Sequence, residues 1–217
     1  MPYIELRSVS YTYSSRVKPA VKEVSLSFDR GEKIAVCGFN GSGKSTLAKL
    51  VMGILKPQKG RILLDGVDSR KNPPWEVGKK LGYIMQNPTG MFFNPTVREE
   101  VNFCLKWKGC SPGKETPGEY YLKYFNIWHL RDEVPFNLSE GEKQLVALSA
   151  VLALHPQFLV LDEPTKTIDS LRKEKLQEVL QDIWARGTGL ILISHDREFV
   201  SRFGGRRVEM EGGEVAP

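Results

Sequence analysis

The stretch Gly38-Phe39-Asn40-Gly41-Ser42-Gly43-Lys44-Ser45-Thr46 decides how the rest of the chain is read. An apolar, strand-like run from Ile34 to Cys37 precedes it. A helix-like segment with Leu47, Ala48, Leu50, Val51 and Met52 follows. Gly, four residues, then Gly-Lys-Ser between a strand and a helix is a phosphate-binding loop in its confirming context. Glycines at 38, 41 and 43 let the backbone curl so that successive N–H groups, from Asn40 to Thr46, point at one anion. The helix that begins beneath adds the positive end of its dipole. Lys44 can reach terminal phosphates and the Ser45 hydroxyl can ligate Mg²⁺. These residues imply a nucleoside triphosphate binder.

Composition narrows the setting. With 217 residues the chain is long enough for one well-cored domain with an inserted lobe. The formal charge of +5 is diffuse, with no basic run or stripe, so no nucleic-acid partner is expected. Three cysteines, Cys37, Cys104 and Cys110, without a Cys-x-x-Cys pair, fit reduced thiols and a cytosolic compartment. Cys37 ends the strand before the loop and reads as a packing residue. No secretory pattern opens the chain, and its longest apolar stretch falls short of a membrane span.

Strand patterns fall at Ile4–Val9, continued by Tyr11-Thr12-Tyr13, and at 21–28, 33–37, 61–64, 81–85, 158–161 and 190–194. A hairpin is expected around Gly212-Gly213. The alternation at 21–28 is that of a half-exposed antiparallel strand, and 33–37 reads as a buried parallel one. Thr96-x-x-Glu99 opens a helix to about Lys106. The segment 109–118, rich in Gly and Pro, reads as a flexible loop. Further helices are expected from Glu119, from Ser139 to about Leu154, and from Ser170 to Arg186. The reading is an α/β fold in one domain, residues 1–217. It has a mixed sheet core, an antiparallel β subdomain and a helical lobe inserted at about 87–154.

Phe158-Leu159-Val160-Leu161-Asp162-Glu163 describes a buried strand that delivers two carboxylates at its C-terminal end, where open α/β sheets bind ligands. Asp162 is placed to hold Mg²⁺ or its waters, and Glu163 to polarise an attacking water. Leu138-Ser139-Glu140-Gly141-Glu142-Lys143-Gln144 is, by itself, a capping box in which Ser139 pairs with Glu142.

Set before that acidic strand, the segment resembles the signature motif of ATP-binding cassette (ABC) ATPases. The resemblance runs nearly the whole chain. Gly38, Gly41, Gly43 and Lys44 match the family's Walker A motif, and Gln86 its Q-loop. Asp162-Glu163 matches Walker B, Ile168-Asp169 the D-loop, and Ser194-His195-Asp196 the switch-histidine region. The resemblance implies a P-loop NTPase of the ABC fold that binds ATP and Mg²⁺. It also implies two domains head to tail, with each ATP between one chain's phosphate loop and the other's signature helix. Gln86 would touch Mg²⁺ and the attacking water. His195 would contact the γ-phosphate, and Asp169 would reach across the pair. Ser139 and Gly141 would meet the partner's phosphate. Tyr13 falls where the family stacks an aromatic on adenine, with Tyr11 as its rival.

Gln86-Asn87-Pro88 and Phe92 to Val101 look like the Q-loop of energy-coupling factor importer ATPases, which drive uptake of vitamins and of cobalt or nickel ions. That branch implies a peripheral protein at the cytoplasmic face of the membrane. Its partners would be a second ATPase chain (identical or a paralogue), a transmembrane coupling protein and a substrate-binding membrane subunit. Met91, Phe92 and Phe93 are the expected dock. The alternatives are another ABC transporter type or a soluble non-transport ABC ATPase. Three departures from the family stand out: Glu140 where Gly is usual, Leu145 where Arg is usual, and Lys166-Thr167 in place of a small pair.

Overall fold

A computed structural model describes residues 1–15, 17–107 and 116–216, and within 97–107 the side chains of Cys104, Lys106 and Trp107 are not described. Most of the loop expected at 109–118, and Cys110 with it, lies outside the described residues.

The strands fall into two sheets. The first is antiparallel: β1 (Ile4–Tyr11) lies between β2 (Val21–Phe28) and β4 (Lys59–Leu64), and β5 (Val67–Asp68) extends the edge. Only one face of this sheet is covered, so β2 buries Val21, Val24 and Phe28 and exposes Lys22, Glu23 and Ser25. β1 ends at Tyr11, and Tyr13 lies beyond it.

The second sheet has six strands. β3 (Lys33–Cys37) pairs in parallel with β8 (Gly189–Ile193) on one side and β9 (Arg206–Glu211) on the other. β7 (Phe158–Asp162) and β6 (Leu81–Ile84) continue the parallel run, and β10 (Glu214–Val215) closes the far edge antiparallel. The central strands are apolar throughout because both faces are covered. Alternate residues serve different cores. Ile34, Val36, Phe158, Val160, Ile191 and Ile193 pack with the antiparallel sheet and α1 (Lys44–Val51). Ala35, Leu159, Leu161, Leu190 and Leu192 pack with α5 (Glu140–Leu152), α6 (Ser170–Ala185) and α7 (Arg197–Phe203).

Between Gln86 and β7 the regular structure among the described residues is helical. It comprises α3 (Val97–Trp107), α4 (Pro117–Tyr124), α5 and short 3₁₀ turns. Three local readings change. α2 (Pro74–Lys80), absent from the sequence patterns above, begins within Asn72-Pro73-Pro74; Pro74 occupies its first turn, where a missing N–H costs nothing. α4 starts at Pro117 because Thr116 and Glu119 form a reciprocal capping box, so the loop stops short of Gly118. α7, absent from the sequence reading, is capped by Asp196.

Candidate active site

The C-terminal ends of β3, β7 and β8, and the residues just past β6, meet at one cavity of about 510 Å³. Its wall includes Tyr13, Asn40, Gly41, Gly43 and Lys44 to Thr46 on one side. Gln86, Asp162, Glu163, Lys166 and His195 complete it. Ser42 is buried beneath the loop. The loop is glycine-built for two reasons. Gly38, Gly41 and Gly43 all have positive φ, at 137°, 82° and 104°. A Cβ on Gly43 would also lie 2.2 Å from the Ala20 carbonyl oxygen. Lys44 Nζ donates to the carbonyls of Gly38 (2.8 Å) and Phe39 (2.9 Å), which holds the loop open around the cavity.

Ser45 Oγ donates to Asp162 Oδ1 at 3.1 Å, and the Tyr83 hydroxyl donates to Oδ2 at 3.4 Å. Asp162 is fully buried, and that burial pushes its carboxyl above the ordinary range, against the hydrogen bond from Ser45. Burial likewise pushes the Tyr83 phenol up. Tyr83 was not foreseen; it lies within the strand expected at 81–85 and carried no site signal of its own. Two hard oxygens from Ser45 and Asp162 suit Mg²⁺, which takes few protein ligands and completes its shell with phosphates and water. Among the described residues no cluster of three or more His, Cys, Asp or Glu could hold a metal by itself.

Glu163 follows the strand with φ 52°, a left-handed turn that swings its side chain off the sheet line. Its N–H donates to the Ile193 carbonyl (2.8 Å), tying the end of β7 to β8. Oε1 lies 2.8 Å from His195 Nδ1, while Oε2 accepts longer bonds from the His195 N–H and the Ser194 hydroxyl. His195 itself is largely exposed. Tyr13 borders the cavity and meets Thr46 Oγ1 at 3.4 Å, whereas Tyr11 packs beside Tyr13 at the edge of the core.

Ser139, Gly141 and Asp169 do not border this cavity. Ser139 caps α5 by accepting from the Glu142 N–H; its hydroxyl also donates to Glu142 Oε2 at 2.6 Å, and this bond holds the Glu142 carboxyl below the usual range. Gly141 packs so tightly that a Cβ would lie 2.8 Å from the Thr167 carbonyl oxygen, which ties the start of α5 to the turn before Asp169. Asp169 caps α6 through the Arg172 N–H. Glu140 is drawn sideways to Lys143 Nζ at 2.9 Å. Cys37 is partly buried against the helical core, and burial raises its thiol.

The expected dock needs correction. Phe92 is buried in the helical core, edge-on to Phe136, and so is not an exposed contact. Phe93 is 76% exposed. The buried Glu100 fixes this turn, accepting from the N–H groups of Phe93 and Asn94 at 2.8 Å each.

Residues 21–166 match the family model described as ABC transporter. An energy-coupling factor transporter ATP-binding protein from Halalkalibacterium halodurans is 37% identical over 212 residues, covering 97% of this chain and 76% of that one. The solved structure of cbiO1 from Clostridium perfringens, described as part of the ABC transporter complex cbiONQ, aligns with a TM-score of 0.81. It is 32% identical, with 100% of this chain and 87% of that one covered. A dimeric ATP-binding cassette in a post-hydrolysis state, bound to ADP and phosphate, aligns with a TM-score of 0.86. It is 28% identical, with coverage of 99% and 97%.

Proposed function

The chain belongs to the ABC transporter family and is one of its ATPases, and from that premise we propose that it powers an energy-coupling factor importer as a peripheral subunit at the cytoplasmic face of the membrane. The observation that carries the mechanism is a division of the family's motifs. Lys44, Ser45, Gln86, Asp162, Glu163 and His195 converge on one cavity, while Ser139, Gly141 and Asp169 do not border it. Ser139 begins a helix whose N-terminal end is exposed and borders no phosphate cavity of its own chain. A second ATPase chain supplies that wall to each ATP.

Within the cavity Tyr13 stacks on adenine and the loop N–H groups from Asn40 to Thr46 hold the phosphates. Lys44 exchanges its carbonyl partners for terminal phosphate oxygens. Ser45, Asp162 and Gln86 would hold Mg²⁺, which when bound would supply charge neutralisation to the phosphates. Glu163 orients the attacking water and accepts its proton, as the water oxygen bonds to the γ-phosphorus and the bond to ADP breaks. His195 positions Glu163 and the γ-phosphate. ATP binding favours the closed pair and hydrolysis reopens it.

The importer reading is supported by the named relative, by the likeness to cbiO1, and by Phe93, an exposed aromatic on a turn that Glu100 holds. Among the described residues no helix is long and apolar enough to cross a membrane. A transmembrane coupling protein and a substrate-binding membrane subunit complete the assembly. Purification of the tagged chain from membranes, with identification of co-eluting proteins, tests this. A second ATPase and integral membrane proteins are expected; co-elution with ribosomal or DNA-repair factors alone would refute the importer reading.

A further inference from the structure

Lys166 borders the phosphate cavity beside Gln86, Asp162, Glu163 and His195, and the chemistry above gives it no part. Its N–H donates to the Glu163 carbonyl at 3.3 Å, so it sits one turn beyond the residue that faces the attacking water. The side chain is exposed and makes no ion pair or side-chain hydrogen bond among the described residues. The carboxylates that share its wall already have partners. Glu163 is held by His195, and Asp162 by Ser45 and Tyr83. A cation in a cavity built for polyphosphate, with its neighbouring anions engaged elsewhere, has the ligand's own terminal phosphate as its remaining partner.

We propose that Lys166 is a second phosphate-contacting lysine, reaching the γ-phosphate of bound ATP from the Glu163 side. This rests on the cavity being the ATP site. Its consequence is selectivity. Lys44 serves di- and triphosphate alike through the loop, whereas Lys166 at the Glu163 end meets an oxygen that ADP lacks. The chain therefore discriminates ATP from ADP more sharply than a small residue at 166 would allow. Arg would preserve the contact, since a guanidinium also donates to phosphate.

Titration calorimetry on the full chain with Mg²⁺ tests this, using ADP and the β,γ-imido analogue of ATP against wild type, Lys166→Ala and Lys166→Arg. For Lys166→Ala the analogue should bind about tenfold more weakly, as for loss of one charge-assisted hydrogen bond. ADP affinity should hold, and Lys166→Arg should restore the analogue. An unchanged analogue affinity, or an equal loss for both nucleotides, overturns the assignment while leaving the cavity's identity intact. A wild-type chain that binds neither nucleotide overturns the ATP reading and this one together.

Discussion

Nδ1 of His195 lies 2.8 Å from Oε1 of Glu163. A carboxylate has no proton to give, so Nδ1 is the donor and Nε2 is left for another partner. The pair joins the ends of β7 and β8 across the cavity, and it fixes the carboxyl that would face water. Glu163→Gln keeps the shape and removes the proposed base. Turnover should fall by about 10²–10⁴. Nucleotide binding should persist, and ATP should now hold two chains together. Phosphate release and size-exclusion chromatography with ATP report both. A variant that stays monomeric in ATP would refute the paired mechanism.

The phosphate loop, the acidic strand and the capped start of α5 were legible because each follows from local chemistry: glycine at positive φ, a strand end, a Ser–Glu box. What stayed hidden depended on distance. Lys166 read as a departure from a pattern, because nothing local says that the turn after Glu163 faces the cavity. Tyr83 went unnoticed within its strand because its hydroxyl partner lies 79 residues away. Phe92 and Phe93 are adjacent and alike in type. The Glu100 carboxylate, not adjacent to either in sequence, fixes the turn in which Phe92 lies inside and Phe93 outside.

That adjacent pair gives a clean separation of packing from docking. Phe92→Ala empties a buried site against Phe136 and should lower stability by about 3–5 kcal/mol. Phe93→Ala should change stability by no more than about 0.5 kcal/mol, yet weaken recovery of the membrane complex. Urea melts of the isolated chain and pull-downs from membranes measure the two. Intact assembly with Phe93→Ala would remove this turn from the docking surface.

Gly141 illustrates a glycine with an internal reason. Its missing Cβ leaves room for the Thr167 carbonyl oxygen, which a methyl would approach to 2.8 Å. Gly141→Ala should therefore destabilise the nucleotide-free chain by about 1–3 kcal/mol. Thermal unfolding without ATP is the measurement. If the variant is as stable as wild type and loses only ATP-driven pairing, the glycine serves the partner's phosphate and not the turn before Asp169.

Asp196 links the His195 loop to α6. The Lys173 ammonium, 2.8 Å away, chiefly holds its carboxyl below the usual range, helped by the Phe199 N–H. The folded pKa is depressed, so the stabilisation is complete above the unfolded value of about 3.9 and lost as pH falls through the folded one. Asp196→Asn keeps the helix cap and removes the charge. It should cost no more than about 1 kcal/mol at pH 7, because the pair is partly exposed. The difference from wild type should shrink below about pH 4. Urea midpoints at several pH values test the sign; a gap that widens in acid would contradict it.

Two carboxylates stand at the start of α5, where the paired mechanism brings a partner's triphosphate. Like charges about 6 Å apart repel by up to about 3 kcal/mol at an effective dielectric of 20. The structure blunts this in two ways. Lys143 draws Glu140 aside, and Glu142 is turned back onto Ser139. The second arrangement has its own drawback, because the Ser139 hydroxyl proton is committed to Glu142 and must be released to reach a phosphate across the interface. Glu140→Gly removes one charge and leaves the capping box intact. In the Glu163→Gln background it should lower the ATP concentration needed for pairing by about three- to tenfold, less than the unshielded repulsion implies. The gain should fade in high salt, because it is Coulombic. Sedimentation against ATP and salt reads it directly. If Glu140→Gly leaves the midpoint unmoved at low salt, Lys143 already neutralises the charge completely, and the departure from glycine at this position does not weaken the composite site.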